Sequence, residues 1–318
     1  MDEEFLSYNK INYDEISFGE KIDKGNLIVY KGKYKNQDIA IKEYITEKYD
    51  TDSDDSDDYD PDDQDNYYLD DGLINELYIG SKVSSERLLN VLGYSHNKEK
   101  NKIYLIMEYI NSSSLIKYID ESIFYKNVEY GYRLSEFKPT NPYTREYSKG
   151  EKWNYIMDNE LKKSIAISML KAVKSMWDNK ILHGDLKTHN LSIHTKGDEK
   201  FIKVIDYGTC FYDHESVELT RVIGTNGYYA PEQKLNILNH YSDIYSVGIM
   251  IIEIWCGYIW DKGKTFNECR NEALKSLRLI KLDNPNLEKL IRKCINIDHK
   301  KRPDIYKLYK MFIELDEE

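Results

Sequence analysis

The 318-residue chain is poor in cysteine and proline and has no long apolar run, and each scarcity closes off a class of protein. The four cysteines, Cys210, Cys256, Cys269 and Cys294, stand far apart with no CxxC or CxxH pair. They imply neither a disulfide frame nor a zinc site, and reduced thiols in a reducing compartment are expected. The longest apolar run, from Val247 to Ile254, is interrupted by Glu253 and is far too short to span a bilayer. The charge balance, formally −11, gives no reason to expect electrostatic binding of nucleic acid, which needs Lys and Arg clustered on one face. The N-terminal MDEEFLSYNK is acidic and polar, unlike a secretory or mitochondrial leader. A soluble protein, cytoplasmic or nuclear and without membrane insertion, is therefore expected. Only 6 prolines accompany an excess of Tyr, Asn, Lys, Ile and Asp, which is read as the bias of an AT-rich genome rather than as a function.

What is present describes a folded body. Apolar residues make up 41% and aromatics 13%, enough for one large domain or two packed lobes with substantial cores. The formal net charge of −11 is local: twelve aspartates and no Lys or Arg lie between Asp50 and Asp71, and without them about +1 remains. Self-repulsion and scarcity of apolar residues make that run a loop without a packed structure. Its two serines, Ser53 and Ser56, sit among aspartates as acceptors for acid-directed kinases do, while the plainer reading is a solvated surface loop.

Along the chain, ISFGEKI from Ile16, LIVYKGKY from Leu27 and DIAIKEY from Asp38 read as three short strands. Alternation places Ala40 and Lys42 on one face and Ile39 and Ile41 on the other. A small alanine beside an ammonium suits a nucleotide pocket, although a half-exposed strand lysine explains Lys42 equally simply. LINELYIGSKV reads as a helix with Leu73, Leu77 and Gly80 on one face and Glu76 beside them. NKIYLIMEYI, from Asn101 to Ile110, reads as a buried strand, and helix signals follow at SLIKYID. From Glu121 to about Asp158 a tyrosine-rich stretch shows no clean period and is longer than a compact connection needs. Leu161 to Trp177 returns to a helical pattern, and YSDIYSVGIMIIEIWCGYIW is apolar nearly all round, so that helix should be buried.

The chemistry concentrates between His183 and Asp206. There HGDLKTHN sets Asp185, Lys187 and Asn190 on a short loop, and a hairpin across TKGDEK brings Asp206 of DYG close to Asn190. Two acids, an amide and an ammonium on rigid turns can orient a hydroxyl, hold magnesium and neutralise a phosphate in flight.

These residues resemble the HRDLKxxN catalytic loop and DFG magnesium motif of eukaryotic protein kinases. VYKG, AIK, the helix Glu76, MEY, GTNGYYAPEQ, SDIYSVG and Arg302-Pro303 follow in the family's order. The resemblance implies an α+β, bilobal kinase fold. Its N-lobe, about 16–107, has an antiparallel sheet and one helix, and its C-lobe, about 111–314, is mainly helical. Residues 1–15 form an extension, with insertions at about 49–71 and 121–158. The closest likeness is to the tyrosine-kinase-like branch, which includes receptor-interacting and mixed-lineage kinase domain-like proteins. It rests on VYKGKYKNQDIAIKEY and LIRKCINIDHKKRPD.

By that resemblance Asp185 orients the substrate hydroxyl and takes its proton, and Lys187 stabilises the transferred phosphate. Asn190 and Asp206 hold Mg2+. Lys42, positioned by Glu76, binds ATP phosphates. Gly25, Val29, Ala40, Met107, Glu108, Ile110 and Ser192 surround the nucleotide. Lys187 two residues after Asp185 is the serine/threonine version, so a protein serine/threonine kinase with a protein substrate is implied. Asp243 is expected to brace the loop backbone, and Arg302 to pair with Glu232. Four departures stand out. Gly184 replaces the arginine that receives an activation-segment phosphate, and Gly80 replaces an apolar side chain. Ser192 replaces an apolar residue under the adenine, and of three loop glycines only Gly25 remains, with Asp23 and Leu27 at the others. They predict weak ATP binding and leave open a second reading, a pseudokinase or decoy that binds a signalling kinase through its lobes.

Overall fold

Alternating apolar residues in the first hundred positions build one antiparallel sheet of five strands: β1 (Ile16–Lys24), β2 (Ile28–Tyr34), β3 (Gln37–Ile45), β4 (Val91–Asn97) and β5 (Lys102–Glu108), in the order β1-β2-β3-β5-β4. The computed structural model describes residues 6, 9–24, 28–45, 71–97, 99–121, 123–125, 153–155, 157–212, 214, 216–257 and 264–316. Gly25, Leu27, nearly all of the acidic run and most of the tyrosine-rich stretch lie outside the described residues. Lys35 and Asn36 both have positive φ, and this two-residue turn closes the β2–β3 ladder at Tyr34 and Gln37. One face of the sheet buries Ile11, Ile16, Ile39, Ile41, Tyr104 and Ile106 together. Helix α1 (Asp71–Lys82) packs near β4 and buries Leu73, Glu76 and Leu77. Ile79, not assigned to that face by the sequence pattern, is buried as well. Together with this sheet and helix, residues 1–83 and 89–110 form one compact unit.

Residues 84–88 and 111–318 form the second, mainly helical unit. It begins with β6 (Ser113–Ser114) and α2 (Leu115–Glu121), and a short ladder pairs β7 (Ile123–Tyr125) with β8 (Trp153–Tyr155). Asp158 caps α3 (Asn159–Asp178) by accepting from the Leu161 N–H at 2.8 Å, and Ile165, Met169 and Val173 are fully buried along it. The helix runs into β9 (Ile181–Leu182) and the loop 183–190, followed by β10 (Leu191–Lys196) and β11 (Glu199–Val204). The hairpin turn is tighter than TKGDEK suggested. Pairing continues to Lys196 and Glu199, and Gly197, at φ +63°, supplies the left-handed residue that a two-residue turn requires.

Beyond it, β12 (Phe211–Tyr212) pairs with β9, and β13 (Ser216–Glu218) pairs with β14 (Ile237–Asn239). Asn239 caps α4 (His240–Cys256), whose apolar circumference is buried as its composition requires. Helices α5 (Phe266–Asp283), α6 (Pro285–Cys294) and α7 (Ile305–Ile313) complete this unit. All four cysteines are free and buried. Among the described residues no helix is long and apolar enough to cross a membrane.

Candidate active site

The candidate residues fall into two sets, one in each unit. In the first unit Lys42 stands on the central strand β3, between Val29 of β2 and Leu105 of β5. Its Nζ bonds to Glu76 Oε1 from α1, and that carboxylate is nearly fully buried. A buried carboxylate needs such a partner, since losing it would leave an uncompensated charge at a cost of about 3 to 5 kcal/mol. The Tyr44 hydroxyl joins the pair. Burial and then the Glu76 charge push it far above the usual tyrosine range, so it stays protonated, a donor beside two ionised groups. Ala40 pairs with Met107 across β3 and β5, and both are buried. Glu108 gives its N–H to Asn90 O at 3.0 Å and accepts the Asn90 N–H on its carboxylate at 2.6 Å. Ile110 follows at the end of the unit.

In the second unit the loop 183–190 is held by its backbone. Asp243 on α4 accepts the N–H groups of His183 at 2.9 Å and Gly184 at 3.0 Å. Burial pushes the Asp243 carboxyl above the usual carboxylate range, and His183 and the two N–H groups act against that shift. The Thr188 hydroxyl donates to Glu253 Oε2 at 3.0 Å, and Glu253 Oε1 accepts from the Tyr228 hydroxyl at 2.7 Å. Gln233 donates to the Gly184 carbonyl at 2.8 Å. Asp243 was expected from the sequence; Glu253 and Gln233 were not. The signal for Glu253 was its place as the one charge in the apolar run from Val247 to Ile254.

On this braced loop the side chains converge. Lys187 Nζ lies 2.7 Å from Asp185 Oδ2 and 2.7 Å from Thr225 Oγ1. Asp185 Oδ1 is buried and has no partner among the described residues. Asn190 Nδ2 donates to the Asp185 carbonyl at 3.0 Å, which fixes its amide and leaves Oδ1 as the coordinating atom. The Ile205 N–H donates to Asn190 O at 3.1 Å, which sets Asp206 beside Asn190 as the hairpin argument required. Asp206 Oδ1 accepts the Gly208 N–H at 3.0 Å, and the Tyr207 ring is buried. The neighbouring His189 imidazole is lowered below its usual range by burial and then by Lys187, and so is neutral. A carboxylate and an amide oxygen form a hard oxygen donor set, which fits Mg2+ and not a thiophilic metal. Ser192 is buried, bonded to the Ser112 hydroxyl and 3.4 Å from Ser113 O.

A sheet unit with a buried Lys–Glu pair and a helical unit with a braced Asp–Lys–Asn loop define the protein kinase fold. The protein kinase domain family matches residues 17–312, and the chain belongs to that family. Its relatives include proteins named as serine/threonine kinases. It is 27% identical over 300 residues to the Acanthamoeba polyphaga mimivirus protein named "Putative serine/threonine-protein kinase/receptor", covering 92% of this chain and 15% of that one. It is 23% identical over 314 residues to "Serine/threonine-protein kinase STY46" of Arabidopsis thaliana, covering 97% of this chain and 46% of that one. "Calcium-dependent protein kinase 5" of Plasmodium berghei is 31% identical over 147 residues, 42% of this chain and 25% of that one. The chain thus spans less than half the length of each of these relatives.

Proposed function

We propose that the chain is an active protein serine/threonine kinase that transfers the γ-phosphate of ATP to hydroxyls of protein substrates. The observation that carries this reading is the Asp185 carboxylate. Lys187 holds its Oδ2, while its Oδ1 is buried without a partner among the described residues. A buried carboxylate oxygen without a donor is costly unless a ligand supplies one, and a substrate hydroxyl is such a donor.

In this reading Asp185 Oδ1 accepts the hydroxyl proton as the oxygen bonds to the γ-phosphorus and the bond from that phosphorus to the bridging oxygen breaks, with ADP leaving. Lys187, already fixed by Thr225, neutralises the charge on the transferred group. Asn190 and Asp206 would hold Mg2+, which when bound neutralises phosphate charge. Lys42, oriented by Glu76, binds the α- and β-phosphates. Ala40, Met107 and Val29 give the base apolar cover. The Glu108 N–H is used by Asn90, so its carbonyl and the Ile110 N–H are the groups offered to the base edge.

The test is transfer of labelled γ-phosphate by the purified chain with magnesium, against Lys42→Met and Asp206→Asn. Loss of transfer only in the variants supports the reading, and equal background from all three ends it. The polar Ser192–Ser112 pair favours a second reading, a domain that binds and regulates another kinase without transferring phosphate. Equal background in that assay, with retained capture of a kinase partner, would establish it.

A further inference from the structure

We propose that Gln233 is a positioning residue that fastens the segment 216–225 to the loop carrying Asp185, and that it does so without a phosphate. Gln233 lies in the turn Pro231–Leu235 and is buried. Its Nε2 donates to Gly184 O at 2.8 Å and to Ile223 O at 2.9 Å, and its Oε1 accepts the Ala230 N–H at 2.7 Å. Two carbonyls take both amide hydrogens and one N–H meets the oxygen, which admits only this orientation. One nitrogen therefore holds the carbonyl preceding Asp185 and the carbonyl two residues before Thr225. Lys187 links the same two strands of chain from the other side, through Asp185 and Thr225. The result is a closed ring.

The glycines of this region fit the ring. A Cβ at Gly224, where φ is +112°, would lie 2.9 Å from Gly184 O and 3.1 Å from Gln233 Nε2. Any side chain there would separate the bonded groups. At Gly184, where φ is +78°, a Cβ would meet Leu238 Cδ2 at 2.9 Å and Ile223 Cγ2 at 3.6 Å. With Thr209 O at 3.5 Å as the third neighbour, the space over Gly184 is closed by two apolar side chains and a backbone carbonyl. Leu238 clusters with Leu182 and Leu219, and Phe211, Val217 and Ile223 pack against them. The β13–β14 ladder and the Leu219 N–H, which donates to Asn236 O at 2.7 Å, secure the same segment. Apolar packing and one buried amide thus secure the segment, with no side chain at Gly184 to receive a phosphate. Ser216 and Thr220 are exposed, and Ser216 joins the anchorage through its place in the β13–β14 ladder.

The inference concerns the same site as the kinase reading and rests on it for its kinetic readout alone. The experiment uses the full chain treated with phosphatase. Amide hydrogen exchange is followed at 183–187 and 216–225, beside transfer of labelled phosphate to a mixed protein substrate, in wild type, Gln233→Leu and Gln233→Glu. Leu keeps the volume without donors, and Glu sets a carboxylate against two carbonyls. We expect the treated wild type to protect Leu219 at least 100-fold. Both variants should exchange at least tenfold faster in the two segments while the β2–β5 sheet is unchanged, and kcat should fall at least tenfold with KM for ATP within twofold. A treated wild type that exchanges freely there until phosphorylated overturns the proposal, even if neither variant folds. So do variants that retain both protection and kcat. If no form transfers phosphate but the exchange pattern holds, the clamp stands and the kinase reading fails.

Discussion

Arg302 grips both oxygens of Glu232, with Nη1 2.6 Å from Oε1 and Nη2 2.8 Å from Oε2. The guanidinium also donates to Tyr241 O at 2.7 Å and Asn296 O at 2.8 Å, while Ser242 Oγ donates to Glu232 Oε1 at 2.8 Å. This pair, seventy residues apart, ties the turn carrying Gln233 to the start of α4 and to the loop before α7. A bidentate fork of this kind cannot be reproduced by an ammonium.

Arg302→Lys is therefore expected to destabilise the helical unit by about 3 kcal/mol or more, since one buried carboxylate oxygen and two carbonyls lose their donors. Thermal denaturation checks it. A fall in Tm of about 6 to 12 °C is expected, and a shift under about 2 °C would show that the pair contributes nothing net.

Asp243→Asn leaves the side chain in place but replaces one acceptor oxygen by a donor. Either the His183 or the Gly184 N–H then faces an NH2 group. The expected cost is about 1 to 3 kcal/mol, falling on the loop that orients Asp185. Phosphate transfer should drop by at least tenfold with little change in KM for ATP. A rise in KM with unchanged kcat would contradict a positioning role.

Glu253→Ala removes the acceptor shared by Thr188 and Tyr228 and opens a hole beside the last turn of α4. Two buried hydroxyls lose a charged acceptor, at about 1 to 3 kcal/mol each, offset in part by the 3.3 Å contact between them, which predicts a loss of stability larger than that of Tyr228→Phe. Chemical denaturation of both variants gives the comparison, and equal losses would show that Glu253 acts through Tyr228 alone.

Ser192→Leu restores an apolar side chain where the buried hydroxyl pair now sits. If that polar floor limits nucleotide binding, the added burial is worth about 1 to 2 kcal/mol, and KM for ATP should fall by about five- to thirtyfold. Direct ATP titration of the two forms measures it. Unchanged affinity would place the limit elsewhere, with the loop around Gly25 as the next candidate.

Much of this arrangement was legible in the residues alone, because it is local or runs through repeated types. Lys42 and its alternating neighbours show a strand, the spacing of Ile165, Met169 and Val173 shows a helix, and HGDLKTHN with DYG shows which polar side chains gather around one loop. The pairs Lys42–Glu76, Asp243 with the loop backbone, and Arg302–Glu232 followed from the family likeness. Gln233 and Glu253 did not, for a physical reason. Their partners are a backbone carbonyl 49 residues earlier and a hydroxyl 65 residues earlier. Backbone carbonyls are present at every position and hydroxyls are common, so no residue pattern marks which one is used. The tight turn at Gly197 was read too wide because Lys196 and Glu199, both polar, look like loop residues and yet pair across the ladder.

The buried thiols have a practical meaning. Cys210, Cys256, Cys269 and Cys294 all belong to the helical unit, and the sheet unit contains none. Burial raises Cys294, to about 12, and Cys269 as well, which keeps them protonated and unreactive while the fold is closed. A thiol reagent added to the native chain therefore reacts only as fast as that unit opens around each sulfur. The four cysteines serve as unengineered clocks for local unfolding, silent to events in the sheet and staggered along the chain from the DYG turn to the end of α6.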